Sequence, residues 1–124
     1  MNIQKALDLA DSMKPNMMAK HVKIAFLQEL DQKIYKEILL KHKHEEEEEN
    51  MPEYGDGDEG KDLMVPAPYD IIYMYWLMSK IDLLNQEIDK YNNDRALFEN
   101  AYEEMSDWWT REHMPLTAMP FVRF

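Results

Sequence analysis

The chain has 124 residues, no cysteine and a formal net charge of −11, which fits one domain with a modest core. The absence of cysteine excludes disulfides and thiolate chemistry. The first residues lack the apolar core of a signal peptide, and no run approaches the roughly 18 apolar residues that span a bilayer. The sequence therefore predicts a soluble protein that begins life in a cytoplasm.

Two helices are predicted in the first third of the chain. Asn2 is suited to cap a helix over 3–13, which Lys14-Pro15 stops because the residue before a proline avoids the helical region. A second helix is predicted over 18–41, with a solvent face of alternating glutamate and lysine. Its apolar stripe falls every four residues: Val22, Phe26, Leu30, Ile34 and Ile38.

The negative charge is concentrated after these helices. Residues 44–62 contain ten acidic residues and one lysine, a local net charge of −9, with Glu45, Glu46, Glu47, Glu48 and Glu49 in succession. All three glycines follow between 55 and 60. Like-charge repulsion and flexible glycines predict a flexible acidic stretch at 44–62, within a loop over 43–67.

The longest apolar stripe runs from 77 to 109 at alternating steps of four and three. Only Arg95 breaks this stripe; the ten positions are Leu77, Ile81, Leu84, Ile88, Tyr91, Arg95, Phe98, Tyr102, Met105 and Trp109. An unbroken helix over 69–113 would be about 67 Å long, far beyond a domain whose radius of gyration is about 14 Å. We favour two helices, 69–91 and 95–113, divided at Asn92-Asn93-Asp94 because these residues compete for backbone hydrogen bonds; a continuous rod is the alternative.

The predicted fold class is therefore all-α, a single helical domain over 1–124 with about four helices and an extended C-terminal arm at 115–124. The first part of the third helix is apolar on nearly every side, which predicts the central buried helix or a contact with a neighbouring subunit.

The aromatic residues of this half leave two interpretations open, a core or an interface. Aromatic residues and methionine are enriched in protein interfaces, but at helical spacing they also fill cores. The candidate interface residues are Trp76, Tyr91, Phe98, Tyr102, Trp108 and Trp109, with Phe121 and Phe124 of the arm.

Candidate chemistry is sparse. The stretch 56–62 begins like a calcium loop, but Gly60 and Lys61 stand where a ligand and the turn glycine belong. His42 and His44 are two residues apart and share no helix face. Ser12, Ser79 and Ser106 all lie inside predicted helices. The sequence predicts no enzyme, no cofactor and no metal site, and its acidic charge disfavours direct DNA binding.

Several stretches resemble the head–tail connector proteins of tailed bacteriophages and prophages, also called adaptor or head-completion proteins. They are residues 3–16, 22–31 with 34–35, 68–73, 91–93 and 96–98. The resemblance rests on helix patterns and covers nearly all of the chain except 43–62 and the last few residues.

The resemblance implies a structural virion protein that forms a ring between the portal of the capsid and the tail. The ring extends the DNA channel without binding DNA specifically and gives a platform for tail attachment; its stoichiometry stays open, with a dodecamer in the assembled virion as one candidate. The implied partners are other copies of the chain, the portal protein and a tail-side connector or stopper protein, with no membrane. The implied location is the host bacterial cytoplasm and then the head–tail interface of the virion.

The resemblance also implies roles for two segments. Glu45 to Glu49 would face the channel, although such a run departs from the family pattern, and the arm would dock onto an adjacent subunit. Two other classes of function stay open. One is an acidic interaction or regulatory protein that mimics nucleic acid or inhibits a partner, and the other is a host helical scaffold protein.

Overall fold

The computed structural model describes residues 1–39 and 51–113. Within these ranges the chain forms helices and no β-strand, which confirms the all-α class. The helices are α1 (Ile3–Met13), α2 (Lys20–Ile34), α3 (Ile71–Leu84) and α4 (Ile88–His113), and a π-helical turn at Tyr35–Leu39 continues α2. The predicted arm at 115–124 and the residues 40–50 lie outside the described residues.

Helix α1 has the predicted bounds. The side chain of Asn2 accepts a hydrogen bond from the backbone N–H of Lys5 at 2.8 Å, as a capping residue does. Lys14 adopts an extended conformation immediately before Pro15 and ends the helix. The buried face consists of Ile3, Ala6, Leu7 and Ala10.

Helix α2 buries a face that is rotated from the predicted stripe. Its fully covered residues are Lys23, Ile24, Leu27, Leu30, Asp31 and Ile34. Val22 and Phe26, the first two members of the predicted stripe, are only partly buried. The apolar surface of α2 is thus wider than its core contact, and one edge of it faces outward.

The predicted division at Asn92-Asn93-Asp94 is wrong, as is the continuous rod. The chain breaks at Asn85–Glu87, and α4 runs through 92–94 without interruption. The break is a Schellman motif: Gln86 has a φ of 57°, its N–H donates to the carbonyl group of Leu83, and the N–H of Glu87 donates to that of Asp82. The low helix propensity of residues 92–94 is a small effect, and tertiary contacts outweigh it.

Helix α3 is the central helix of the bundle, as its apolar sequence predicts. It packs against α1, α2 and α4. Its buried residues include Ile72, Tyr73, Trp76, Leu77 and Ile81, which occupy more than one side of the helix. The third helix begins at Ile71 and not at 69, because Tyr69 and Asp70 form a turn before it.

The described part of the acidic loop, 51–67, lies against the bundle and is joined to it by backbone hydrogen bonds. The N–H of Ile3 donates to the carbonyl group of Lys61 at 3.0 Å, and the N–H of Leu63 donates to that of Met1 at 2.9 Å. Leu63 and Val65 are buried in the core. Burial of these two side chains and the backbone hydrogen bonds offset the repulsion between neighbouring acidic groups.

Candidate functional site

A buried carboxylate joins the loop to the helices. Asp31 of α2 is inaccessible to solvent and accepts hydrogen bonds from the Tyr73 hydroxyl group at 2.6 Å, from the Met64 N–H at 3.2 Å and from the Tyr54 hydroxyl group. The Tyr73 oxygen in turn accepts from the N–H of Val65 at 2.9 Å. These contacts connect α2, α3 and both ends of the segment 54–65.

The electrostatics of this cluster suit a structural role. Burial raises the pKa of Asp31, and its three hydrogen bonds act in the opposite direction. Burial and the adjacent carboxylate raise the pKa of both Tyr54 and Tyr73 far above the ordinary range, so both hydroxyl groups stay protonated. A substrate has no access to a carboxylate that is fully covered and already has three donors. We interpret the Asp31 cluster as the anchor of the loop.

A second buried cluster lies beside the break between α3 and α4. The ammonium group of Lys14 lies 2.8 Å from a carboxylate oxygen of Asp82 and 3.0 Å from one of Asp94. Asp82 has no exposed side-chain surface, and burial together with the adjacent Asp94 carboxyl group raises its pKa to about 6. One cation therefore serves two carboxyl groups, and it ties the end of α1 to α3 and α4.

An open apolar groove lies between the start of α2 and the end of α3. It has a volume of about 540 Å³, and it is lined by Met17, Met18, Ala19, Val22, Phe26, Lys80, Leu83 and Leu84. We call this surface the α2–α3 groove. Met17 is 95% exposed and Leu84 is 50% exposed. Two more exposed apolar residues, Met13 and Ile88, belong to the adjacent helix ends.

Lys80 is the charged residue among those that line the α2–α3 groove. Its ammonium group lies 4.3 Å from the centre of the Trp76 ring and 5.2 Å from that of the Phe26 ring. Both contacts are cation–π interactions, which hold the ammonium group over aromatic surface without neutralising it. The groove thus combines apolar walls with a fixed positive charge.

The predicted interface residues divide into two groups. Trp76 and Phe98 lie in the core with ring centres 5.0 Å apart, so their surface is covered by the chain itself. Tyr91, Tyr102, Trp108 and Trp109 are half-buried along α4. Tyr102 donates a hydrogen bond to Glu37 at 3.0 Å, and Trp108 stacks on Tyr69 at 4.8 Å. Their faces partly serve the fold and partly remain open.

Several predicted site residues cannot be placed. Phe121 and Phe124 of the arm, and the acidic residues Glu45, Glu46, Glu47, Glu48 and Glu49, lie outside the described residues, as do His42 and His44. Over residues 1–39 and 51–113, no three His, Asp or Glu side chains are grouped as a metal site requires.

Two of the three helical serines, Ser12 and Ser79, donate hydrogen bonds within their own helices. The hydroxyl group of Ser12 donates to the carbonyl group of Leu9 at 2.8 Å, and that of Ser79 donates to the carbonyl group of Trp76 at 2.7 Å. Both are bonds to the preceding helical turn, which a helical serine commonly makes. These two hydroxyl groups therefore have a local structural partner.

The α2–α3 groove was not predicted from the sequence, although one signal for it is present. Val22 and Phe26 continue the apolar stripe of the second helix, while Ile24 and Leu27 form a second, overlapping stripe. A helix with two apolar stripes buries one in its own core and leaves the other for a different contact. The exposed pair Leu83-Leu84 next to the end of α3 is the corresponding signal on the other wall.

Within the described ranges, no helix is both long and apolar enough to cross a membrane. Comparison of the chain with protein-family models, with curated proteins and with solved structures gives no significant match.

Proposed function

We propose that the protein is a structural subunit that assembles into the connector ring between the portal of a phage capsid and the tail. The observation that carries this proposal is the α2–α3 groove, an apolar surface on which Met17 and Leu84 are exposed. Contiguous exposed apolar surface on a small domain marks a contact with another macromolecule. The resemblance of the helix patterns to connector proteins supports assembly into a ring as that contact.

The buried clusters fit the same role. The Asp31 cluster and the Lys14 cluster fix the loop and the break between α3 and α4, so the bundle presents its surfaces rigidly. The proposal assigns the protein no catalysis, cofactor or metal. Its partners would be other copies of the chain, the portal protein and a tail-side connector or stopper protein. DNA would pass through the ring without specific binding, and the assembled protein would reside in the virion.

The genes that flank this one and the behaviour of the protein with its portal test the proposal. Portal and capsid genes upstream and tail genes downstream are expected. The purified protein, mixed with the portal protein of the same locus, should form a ring on the portal that electron microscopy resolves. A locus without structural phage genes would overturn the connector assignment, and so would the absence of any complex with that portal.

A second candidate function is an acidic protein that binds a basic partner or mimics nucleic acid. One observation favours it: residues 51–62 are held in place, so their charges are displayed on an ordered surface. This stretch has five acidic residues and one lysine, and its exposed acids are Glu53, Asp56 and Asp62. Fixed spacing of negative charge is what mimicry of a phosphate backbone requires.

The two functions respond differently to neutralisation of that surface. The triple variant Glu53→Gln, Asp56→Asn, Asp62→Asn leaves the Tyr54–Asp31 contact intact, so the fold is preserved. A mimic should lose its basic partner in this variant, whereas a connector subunit should still assemble with its portal. A matched control is the triple variant Asp8→Asn, Glu29→Gln, Glu99→Gln, which removes the same charge from exposed helix positions.

A further inference from the structure

Lys80 gives the α2–α3 groove a positive charge that no carboxylate of residues 1–39 and 51–113 neutralises through an ion pair. Its ammonium group contacts two aromatic rings. A partner that fills the groove with apolar side chains and places a carboxylate at Lys80 would satisfy both features. Opposite charges at the edge of an apolar contact fix its register and exclude wrong partners.

A second surface of the same chain has the complementary character. Leu97, Ala101 and Glu104 succeed one another at steps of four and three on α4 and share one face of that helix. Ala101 and Glu104 border a shallow depression of about 250 Å³ with Pro68, Tyr69 and Ile71. We call this surface the α4 patch. Leu97 is 39% exposed, and Glu104 is exposed without an ion pair to any described residue.

The two surfaces lie at opposite ends of α3. The groove is lined by Leu83 and Leu84 in the last turn of α3, and the α4 patch adjoins Ile71 in its first turn. Thirteen residue steps along a helix correspond to about 20 Å. Lys80 and Glu104 of one chain therefore belong to separate surfaces, and each is available to another molecule.

We propose that the α2–α3 groove of one copy receives the α4 patch of a second copy, with Lys80 facing Glu104 and Leu97 entering the apolar part of the groove. This inference rests on the proposed function, and it names the contact through which the ring would close. A contact between two different surfaces is heterologous, and its repetition gives a ring when the rotation closes and a filament when it does not.

Charge distribution favours a second copy as the occupant. The chain has a net charge of −11, so two copies repel each other over most of their surface. The groove is a site where the lining charge is positive, and α4 carries seven acidic residues against three basic ones. The negatively charged α4 of one copy is thus attracted to the positively charged groove of another, although the two copies repel each other elsewhere.

Charge reversal tests the pairing directly. Self-association, measured by sedimentation velocity at low salt, should weaken by roughly tenfold or more in Lys80→Glu and in Glu104→Lys, because like charges then face each other. The double variant Lys80→Glu/Glu104→Lys should recover affinity to within about threefold of the unmodified protein, because the charge pair is restored in reverse. Lys36→Glu and Glu112→Lys alter exposed residues outside both surfaces and should leave association unchanged.

Cysteine cross-linking gives a readout that also detects a weak contact. The chain contains no cysteine, so Lys80→Cys and Glu104→Cys introduce unique thiols. A short bis-maleimide at millimolar protein concentration should yield dimers from a mixture of the two single variants and a ladder of multimers from the double variant. Each single variant alone should stay monomeric.

The outcomes separate this inference from the proposed function. Homodimers from a single variant, or association that the reversed pair does not recover, would overturn the groove-to-patch contact while the connector assignment stands. A wild-type protein that forms rings on its portal without this cross-link would do the same. Absence of both the cross-link and any ring on the portal would overturn the two together.

Discussion

Asp31 of α2 accepts a hydrogen bond from the hydroxyl group of Tyr73 of α3 at 2.6 Å, and neither side chain is accessible to solvent. The same hydroxyl group accepts the N–H of Val65, and the same carboxylate accepts the N–H of Met64. A charged group without water must have its lone pairs occupied by donors, and the loop supplies two of them. The loop and the helices therefore depend on each other for stability.

Tyr73→Phe should destabilise the protein by about 2–4 kcal/mol, because it leaves the Val65 N–H without an acceptor and removes a donor from Asp31. The midpoint of urea denaturation measures this loss. Tyr75→Phe is the matched control, since Tyr75 is half-buried on the same helix and makes no hydrogen bond to the described residues. Equal losses for the two variants would show that the Asp31 cluster does not anchor the loop.

The break between α3 and α4 requires a left-handed residue at position 86. Gln86 has a φ of 57° at the C′ position of the Schellman motif, where glycine is favoured. Gln86→Gly should therefore be more stable than Gln86→Ala by about 1 kcal/mol. Thermal unfolding of the two variants checks the difference. If the helix instead ran on to 91, as the sequence predicted, residue 86 would lie inside it and Gln86→Ala would be the more stable variant.

The sequence predicted correctly those features of the fold that depend on residues close together in the chain. Asn2 and Pro15 fix the ends of α1 through neighbouring residues, so that helix was predicted with its bounds. Asp94 was predicted to lie at the start of a helix because aspartate is favoured as a helix cap. Its carboxyl group is instead buried against Lys14, eighty residues away in sequence. No local pattern contains that contact.

The candidate site was harder to predict for the same reason. Trp76 and Phe98 are of residue types that are enriched in interfaces, but both lie in the core. They meet there because α4 packs back onto α3 after a break at 85–87, whereas the sequence predicted the break at 92–94. Lys80 lines a groove only because the start of α2 packs beside the end of α3. A stripe of apolar residues indicates that a face is buried, but it does not indicate which molecule covers it.

Asp82 should make stability depend on pH. Its pKa rises from an ordinary value near 3.8 to about 6 in the folded protein. Between these pH values Asp82 loses its proton in the unfolded chain but keeps it in the folded chain. Its contribution to the free energy of unfolding is therefore fully present below about pH 4 and is lost as the pH rises to about 6. Asp82→Asn cannot ionise, and it should be more stable than the unmodified protein above pH 6 by about 1–3 kcal/mol.

The measurement for Asp82 is the free energy of unfolding of both proteins from pH 4 to pH 8. The difference between them should grow up to about pH 6 and then level off. Asp89→Asn removes the same charge from an exposed position of α4 and serves as the control. A difference that stays constant over the whole range would contradict the raised pKa.

Lys14 should be the residue on which the buried carboxyl pair depends most strongly. Lys14→Met keeps an unbranched side chain that is one atom shorter, and it removes the cation that lies within 3.0 Å of both Asp82 and Asp94. Removal of one partner from a buried ion cluster typically costs about 3–5 kcal/mol, because the remaining charges have no compensation. The loss should be largest at pH 8 and should shrink at pH 5, where the carboxyl pair holds a proton and has less charge to compensate.

Urea denaturation at the two pH values measures both losses, with Lys5→Met as an exposed control on α1. A loss of the same size at both pH values would mean that Lys14 acts by packing its methylene groups, whereas a loss that shrinks in acid identifies the charge as its contribution.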